Sequence, residues 1–331
     1  TVMVVMVLLM AALPVFAGGE GEAAEGGPVT LRFAHFAAED HPGHLAALQF
    51  KEAVERRTGG QVTVQVFPNQ QLGSPPEILE QNVLGAIDMS VATQGALGQY
   101  SQKFAVVMLP FVFRDYEHAY AVLDGPFIEW AAPDLADQGL VFLSNWEWGF
   151  RNLTNAVRPV ESPADVEGLR LRTPPEVQLV AAMEALGASV QQISFSELYQ
   201  ALSQGVVDGQ ENPLPVIYFN NLYEVQNYLT LTQHVYNSMT HVMSLQIWEQ
   251  LSPEQQTIIR EESARAGQFM RRAVQESEEE LIGLLEAEGM TVVRPEDPAV
   301  FQSVMGPAYD RIAEFASQEY VDTFLEMVER F

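Results

Sequence analysis

Hydrophobic and polar positions along this chain repeat either every two residues or every three to four, and segments of the two kinds alternate. The segments 29–35, 61–67 and 87–93 alternate every two residues, as a strand with one buried face does. Between them, apolar residues recur every three or four positions, which is helical spacing. This succession of strand-like and helix-like runs predicts an α/β protein. Three further strands are predicted, over 139–146, 168–173 and 187–193.

One predicted helix is unusually long. Ser252, Pro253 and Gln255 form the pattern of a capping box and a first helical turn, and helical character then continues to about residue 289. A helix of about 35 residues is ~50 Å long, which exceeds the width of a small domain. We therefore expect it to run across two domains, with Gly267 as a candidate bend.

Length and charge narrow the class of protein. A chain of 331 residues with 47% hydrophobic and 18% charged residues suits two globular domains. Its 17 basic residues against 44 acidic ones give a net charge of -27, which argues against nucleic acid and anionic membrane surfaces as partners. The sequence contains no cysteine, which excludes disulfides, cysteine nucleophiles and thiolate metal sites.

The N-terminal residues predict export. Positions 2–16 form an uncharged apolar run, and Val15 and Ala17 fit a secretory cleavage site after residue 17. The run is shorter than the roughly 20 apolar residues of a membrane span, so a retained anchor is the weaker alternative. We expect a signal peptide over 1–17, a flexible acidic tether over 18–28, and a periplasmic protein.

Sequence motifs for catalysis are missing. The chain has no G-x-S-x-G, Walker A or G-x-G-x-x-G stretch. His35, His41 and His44 with Asp40 are the candidates for a metal cluster, but their spacing matches no standard zinc pattern. We expect no metal and no cofactor, and a binding protein rather than an enzyme.

Two arginines stand out against the acidic composition. Arg170 and Arg172 lie one residue apart in "GLRLRTPPE", and strand alternation places both on the same face. A guanidinium presents a planar fork of donors that matches a carboxylate. The pattern alone does not choose between the two, but Arg172 is nearer the strand end, where open α/β sheets bind ligands.

Four stretches then carry a family resemblance. They are "FPNQQLGSPPEILEQNVLGAIDMS" (67–90), "WGFRNLTNAVRPV" (148–160), "GLRLRTPPE" (168–176) and "FSELYQALSQGVVDGQENP" (195–213). In this order and spacing, from residue 29 to about 285, the chain resembles the DctP-type solute-binding proteins of tripartite ATP-independent periplasmic (TRAP) transporters. The resemblance implies a two-lobed α/β receptor with a hinged central cleft and a long helix spanning both lobes.

The resemblance also implies a binding site for an organic acid. Arg172 matches the family arginine that grips the ligand carboxylate bidentately, and Arg151 matches a second cationic contact. Asn212 matches a donor to the carboxylate, and Phe195 an aromatic residue of the pocket. Pro213 keeps the Asn212 backbone out of a helix and predicts a turn that aims its amide. Further candidates at strand ends or lobe junctions are Trp148, His35, Gln94, Tyr236 and Asn237.

The resulting hypothesis is a receptor that captures a small carboxylate and delivers it to a membrane permease. The acid is a C4-dicarboxylate, a sugar acid or a similar carboxylate, and the permease has a small and a large transmembrane subunit. We expect a monomer. The alternatives are a receptor that feeds a sensor kinase and, less favoured, a secreted hydrolase or lyase acting on an organic acid. The predicted lobes are 29–149 with 238–277, and 150–237 with 278–331.

Overall fold

One mixed sheet of nine strands runs through the structure, a computed structural model that describes residues 28–331. The predicted signal peptide lies outside the described residues, and so does the predicted tether up to residue 27. The strands are β1 (Val29–Ala34), β2 (Val62–Phe67), β3 (Met89–Thr93), β4 (Leu140–Asn155), β5 (Arg170–Thr173), β6 (Ser189–Gln192), β7 (Gly209–Pro213), β8 (Tyr228–Ser244) and β9 (Thr291–Val293).

Helices connect nearly all of these strands, so the predicted α/β class is confirmed. Within residues 28–331, no helix combines the length and the apolar character needed to cross a bilayer. The helices are α1 (Pro42–Arg57), α2 (Pro75–Val83), α3 (Gln94–Leu97), α4 (Tyr116–Leu123), α5 (Pro126–Asp137), α6 (Val177–Ala185), α7 (Leu198–Ser203), α8 (Leu214–Phe219), α9 (Leu245–Trp248), α10 (Pro253–Ala287), α11 (Ala299–Gln302), α12 (Gly306–Ala316) and α13 (Gln318–Val328).

The sheet has a parallel group at each end and two long antiparallel strands in the middle. Its order is β2-β1-β3-β8-β4-β7-β5-β6, with β9 beside β8. β1 pairs in parallel with β2 and β3, and β5 does so with β6 and β7. β4 pairs antiparallel with β8 along most of its length. These two strands therefore join the two parallel groups.

Two of the three predicted lobe boundaries fall inside this central pair of strands, and the third, at residues 277 and 278, falls inside α10. The boundary at residues 149 and 150 lies in β4, and the one at 237 and 238 lies in β8, where Gly149 and Asn237 are direct partners. The register shifts next to Gly149, whose φ of 108° favours glycine. The division into lobes stays a prediction. If the lobes move, we expect the hinge at this irregular part of the β4–β8 pair.

The predicted long helix is confirmed. Ser252 and Gln255 exchange both hydrogen bonds of the capping box at its start. Ile259 and Met270 pack in a core cluster with β1 and α1 residues, whereas Leu285 packs in a separate cluster with α7 and α8 residues. α10 therefore stabilises both halves of the molecule.

Gly267 has a different role from the expected bend. α10 continues through it, and the glycine lies against β4. A Cβ added there would lie 2.5 Å from the carbonyl oxygen of Asn145 and 3.0 Å from Cδ1 of Trp146. The absence of a side chain thus allows helix and sheet to approach closely.

Alanine at two glycines of this helix is expected to have opposite effects. Gly267→Ala forces the helix away from β4 and should lower the free energy of unfolding by about 1–3 kcal/mol. Gly283 is the matched control, because a Cβ there would meet no described atom within 4 Å. Gly283→Ala should raise stability by about 0.5–1 kcal/mol through helix propensity. Urea denaturation measures both, and equal effects would contradict the packing role of Gly267.

Candidate ligand-binding site

A cavity of about 340 Å³ lies where strand ends from both parallel groups of the sheet meet. Thr93 ends β3 and Phe36 follows β1 on one side, while Arg172 and Asn212 stand near the ends of β5 and β7 on the other. Carboxyl ends of strands are where open α/β sheets bind ligands. The lining residues are Phe36, Ser74, Pro75, Pro76, Leu79, Thr93, Ala96, Gln99, Tyr100, Arg151, Arg172, Pro174, Pro175, Glu176, Gln192, Ile193, Ser194, Phe195 and Asn212.

The two arginines of β5 have different environments. The Arg170 side chain is 47% exposed and pairs with Asp208, with Nη2 lying 2.5 Å from Oδ1. Arg172 is only 1% exposed and lines the cavity. Leu171 between them points into the core. Of the two arginines, Arg172 is therefore the one that lines the cavity, and its role as the ligand-binding arginine stays a prediction.

The guanidinium of Arg172 is incompletely satisfied. Its Nε donates to the carbonyl oxygen of Ile193 at 2.8 Å, and its Cζ lies 6.0 Å from the ring centroid of Phe195. Its Nη2 is buried without a hydrogen-bond partner among residues 28–331. Burial lowers the pKa of Arg172 to about 10, although neighbouring acids oppose that shift. A hydrogen bond to a charged acceptor, such as a carboxylate, would stabilise this buried donor more than a bond to a neutral acceptor.

Arg151 is already paired. Its Nε and Nη2 donate to the two carboxylate oxygens of Glu211 at 2.5 and 2.9 Å, and both side chains are buried. Burial alone would raise the pKa of Glu211, but Arg151 and His234 outweigh it and hold that pKa below its usual range. Nη1 of Arg151 donates to Asn237 at 2.5 Å. Glu211 therefore neutralises this second cation.

Asn212 is held from both ends of its amide. Its Oδ1 accepts from Nη2 of Arg151 at 3.0 Å, and its Nδ2 donates to Oε1 of Gln210 at 2.5 Å. The expected turn at this position is wrong, because Asn212 lies in β7 and pairs with Asn152 of β4. The ladder, rather than a turn, fixes the direction of its side chain, and Pro213 caps α8.

Glu176 is a cavity residue that the sequence did not single out. Its Oε1 accepts a hydrogen bond from Oγ1 of Thr93 at 2.6 Å, which links the segment after β5 to the end of β3. Its Oε2 is buried and has no hydrogen-bond partner in the described part of the chain. Burial raises the pKa of Glu176, and the Thr93 hydrogen bond opposes this. The only sequence signal was its place in "TPPE", four residues after Arg172.

Four of the predicted site residues line the cavity, namely Arg172, Arg151, Asn212 and Phe195, and the other five do not. Gln94 is buried and donates from Nε2 to Oγ1 of Thr240 at 2.9 Å. Tyr236 is buried and donates to Oε2 of Glu147 at 2.9 Å. Asn237 is connected to the site through the hydrogen bond that its Oδ1 accepts from Nη1 of Arg151.

The remaining two candidates belong to an aromatic layer behind the cavity. His35 Nε2 lies 3.1 Å from His44 Nδ1. The ring of Trp148 lies 4.3 Å from that of His41 and 4.8 Å from that of Phe36, measured between centroids. Phe36 lines the cavity, so Trp148 supports the wall from behind.

Because His41 is buried in its neutral form, we expect the free energy of unfolding to fall in acid. Its Nδ1 accepts from the backbone N–H of Gly43 at 2.9 Å, and burial lowers its pKa from 6.5 to about 3. Between these values the unfolded chain takes up a proton that the folded protein refuses, so stability falls as pH decreases from 6.5. The cost is roughly 2 kcal/mol at pH 5 relative to pH 8.

His41→Asn is the matched variant, because asparagine retains a side-chain acceptor for the helix cap. We expect the difference in unfolding free energy between pH 8 and pH 5 to shrink by roughly 2 kcal/mol in this variant. Urea denaturation at both pH values measures it. An unchanged difference would show that His41 does not contribute to acid sensitivity.

Comparisons with known proteins agree with the geometry. The model of the family "Bacterial extracellular solute-binding protein, family 7" (DctP) matches residues 33–315. The C4-dicarboxylate-binding periplasmic protein DctP of Rhodobacter capsulatus is 34% identical over 300 residues, which cover 89% of each chain.

Solved structures of TRAP periplasmic solute-binding proteins share the fold. One from Bordetella bronchispeptica, with density interpreted as pantoate, is 33% identical with a TM-score of 0.86, covering 90% of this chain and 99% of that one. One from Roseobacter denitrificans, with bound β-D-glucuronate, is 30% identical with a TM-score of 0.86, covering 91% and 99%. These matching proteins are solute-binding receptors, so the prediction of a receptor rather than an enzyme is confirmed. The chain belongs to family 7 of the bacterial extracellular solute-binding proteins, the DctP-type receptors of TRAP transporters.

Proposed function

We propose that this protein captures a small organic acid in the periplasm and delivers it to a TRAP permease with a small and a large transmembrane subunit. The observation that carries the proposal is Arg172, a buried guanidinium at the cavity whose Nη2 has no hydrogen-bond partner within residues 28–331. Relatives named for a C4-dicarboxylate, or seen with pantoate or β-D-glucuronate, support an acid as ligand.

Arg172 binds the carboxylate in this proposal through its planar fork of donors. A lysine presents a point charge and does not reproduce two parallel hydrogen bonds. Arg151 lines the same cavity but is paired with Glu211, so it is the weaker of the two cations. We propose that Arg151 acts mainly by holding Asn212, whose remaining amide N–H can donate to the carboxylate.

The net charge of -27 does not prevent an anion from binding here. At physiological salt the Debye length is ~8 Å, so carboxylates scattered over the surface are largely screened from the cavity. A desolvated ion pair is screened far less, and removal of one partner costs ~3–5 kcal/mol. The attraction between the ligand carboxylate and the Arg172 guanidinium is therefore stronger than the repulsion from the acidic surface.

Capture by closure fits the placement of the cavity walls. Phe36 and Thr93 belong to one predicted lobe, and Arg172 and Asn212 to the other. β4 and β8 connect the two predicted lobes. A rotation of one lobe about the irregular part of this strand pair, next to Gly149, would enclose a ligand between the cavity walls. The closed, loaded form is then the one that the permease recognises.

A thermal-shift screen over an organic-acid library tests the proposal. An acid at 100 times its Kd adds ~2.7 kcal/mol of stability, which is easily measured as a higher melting temperature. The proposal expects at least one acid to raise the melting temperature and to be recovered unchanged after incubation. No shift with any acid would overturn it, and turnover of the acid would instead favour the hydrolase or lyase alternative.

A further inference from the structure

The charges around the cavity leave a single cation for the ligand. Arg151 is paired with Glu211, and Arg172 shares the cavity with the buried acid Glu176. Among the described residues, the cavity lining holds no third cation. A first carboxylate can bind Arg172, but a second one would enter a low-dielectric site beside an acid and without a cation to pair with, which is costly.

Most of the remaining wall surface is apolar and includes Phe36, Pro75, Pro76, Leu79 and Ile193, which offer no side-chain hydrogen bonds. Uncharged polar side chains contribute the smaller share of the surface, namely Ser74, Thr93, Gln99, Tyr100, Gln192, Ser194 and Asn212. A hydroxyl that loses water against such a surface without finding a partner costs free energy. A chain of several hydroxyls is therefore poorly matched to this wall, whereas a compact hydrocarbon body gains from burial.

Glu176 offers one strong acceptor within this apolar setting. Its Oε1 is occupied by Thr93, while its Oε2 is buried and has no hydrogen-bond partner among residues 28–331. Oε2 lies against Gly95, where an added Cβ would collide with the carboxylate. The glycine leaves room for the acid, and the acid in turn offers a site for one donor from the ligand.

We propose that the ligand is a monocarboxylate with a compact apolar body and one hydrogen-bond donor, a hydroxyl or an ammonium group, which Glu176 accepts. This inference rests on the proposed function and specifies its ligand class. It excludes C4-dicarboxylates and polyhydroxylated sugar acids as the preferred ligands. Arg172 binds the carboxylate of the ligand, and Glu176 accepts from its hydrogen-bond donor. The apolar wall, which includes Pro75 and Pro76, packs against the hydrocarbon body.

Isothermal titration with a matched set of acids tests the inference. The donor-bearing probes are 2-hydroxy-4-methylpentanoate, 3-hydroxy-4-methylpentanoate and leucine, which distinguish the position and kind of donor. The comparison probes are 4-methylpentanoate, malate and gluconate. At least one donor-bearing probe should bind tenfold or more tightly than every comparison probe. Tighter binding of malate or gluconate than of all three donor-bearing probes would overturn the inference.

Glu176→Gln tests the assigned residue. The variant retains an acceptor for Thr93 but removes the charge, so the preference for the donor-bearing probe over malate should fall at least tenfold. Glu197→Gln, an exposed acid outside the cavity lining, changes the net charge equally and should leave that preference unchanged. An unchanged preference in Glu176→Gln would remove Glu176 from the account, and the probe series judges the ligand class even if this variant fails to fold.

Different binding results would overturn the ligand class alone or the receptor function with it. Malate or gluconate bound most tightly, with binding lost in Arg172→Lys, would overturn the ligand class and leave the receptor function intact. Absence of binding by every acid, in the titrations and in the library screen, would overturn both.

Discussion

Replacing Arg172 by lysine is expected to abolish most of the stabilisation that a carboxylate ligand provides. Lysine retains a positive charge but loses the planar fork, and Arg172 lies in a buried setting where a mismatched ion pair is costly. A loss of ~3–5 kcal/mol corresponds to several hundred-fold or more in affinity. The measurement is the ligand-induced rise in melting temperature, together with a titration of the same acid. The melting temperature without ligand should stay close to that of the wild type.

Arg170→Lys is the matched control on the same strand. The Arg170 side chain is about half exposed and pairs with Asp208 outside the cavity lining, so this variant should bind the acid as the wild type does. Equal ligand-induced shifts in Arg172→Lys and the wild type would refute the role of Arg172. A large loss confined to Arg170→Lys would mean that the other arginine of the pair holds the ligand.

Glu211→Gln should cause the largest loss of stability among the variants proposed. Glu211 is fully buried and accepts from Arg151 and His234. Neutralising it leaves the Arg151 guanidinium buried without its counter-ion, at a cost of ~3–5 kcal/mol. Urea denaturation of the unliganded protein measures the loss. Ligand affinity should fall as well, because Arg151 positions Asn212.

Asp208→Asn provides the comparison for an exposed pair. It removes the partner of Arg170 at the surface, where ion pairs contribute about 0–1 kcal/mol. A Glu211→Gln variant that loses no more stability than Asp208→Asn would contradict the structural importance of the buried pair.

The period of the hydrophobic pattern predicted five of the strands that pair in parallel and missed two others, β7 and β9. β1, β2, β3, β5 and β6 each lie within or near a predicted segment, because each alternates or carries a short apolar run. β4 was predicted only in its first half, and β8 was missed. Both are buried on nearly every residue yet contain buried polar side chains such as Asn145, Thr240 and His241, so neither period appears in the sequence.

Site residues that lie in a sequence motif could be predicted. Contacts between residues far apart in the sequence could not. Arg172 and Phe195 lie in motif stretches and line the cavity. The partnership of Arg151 with Glu211 joins residues 60 positions apart, and no local pattern reveals it. Glu176 was lost among 44 acidic residues, since only the fold shows which acid is buried beside the cavity.

A crystal structure of the protein with an acid from the thermal-shift screen tests the central claim most directly. We predict the ligand carboxylate within hydrogen-bond distance, ~3 Å, of Nη2 of Arg172, with the body of the acid packed against the cavity-lining rings of Phe36 and Phe195. A carboxylate bound elsewhere, with Nη2 of Arg172 still lacking an acceptor, would contradict the account.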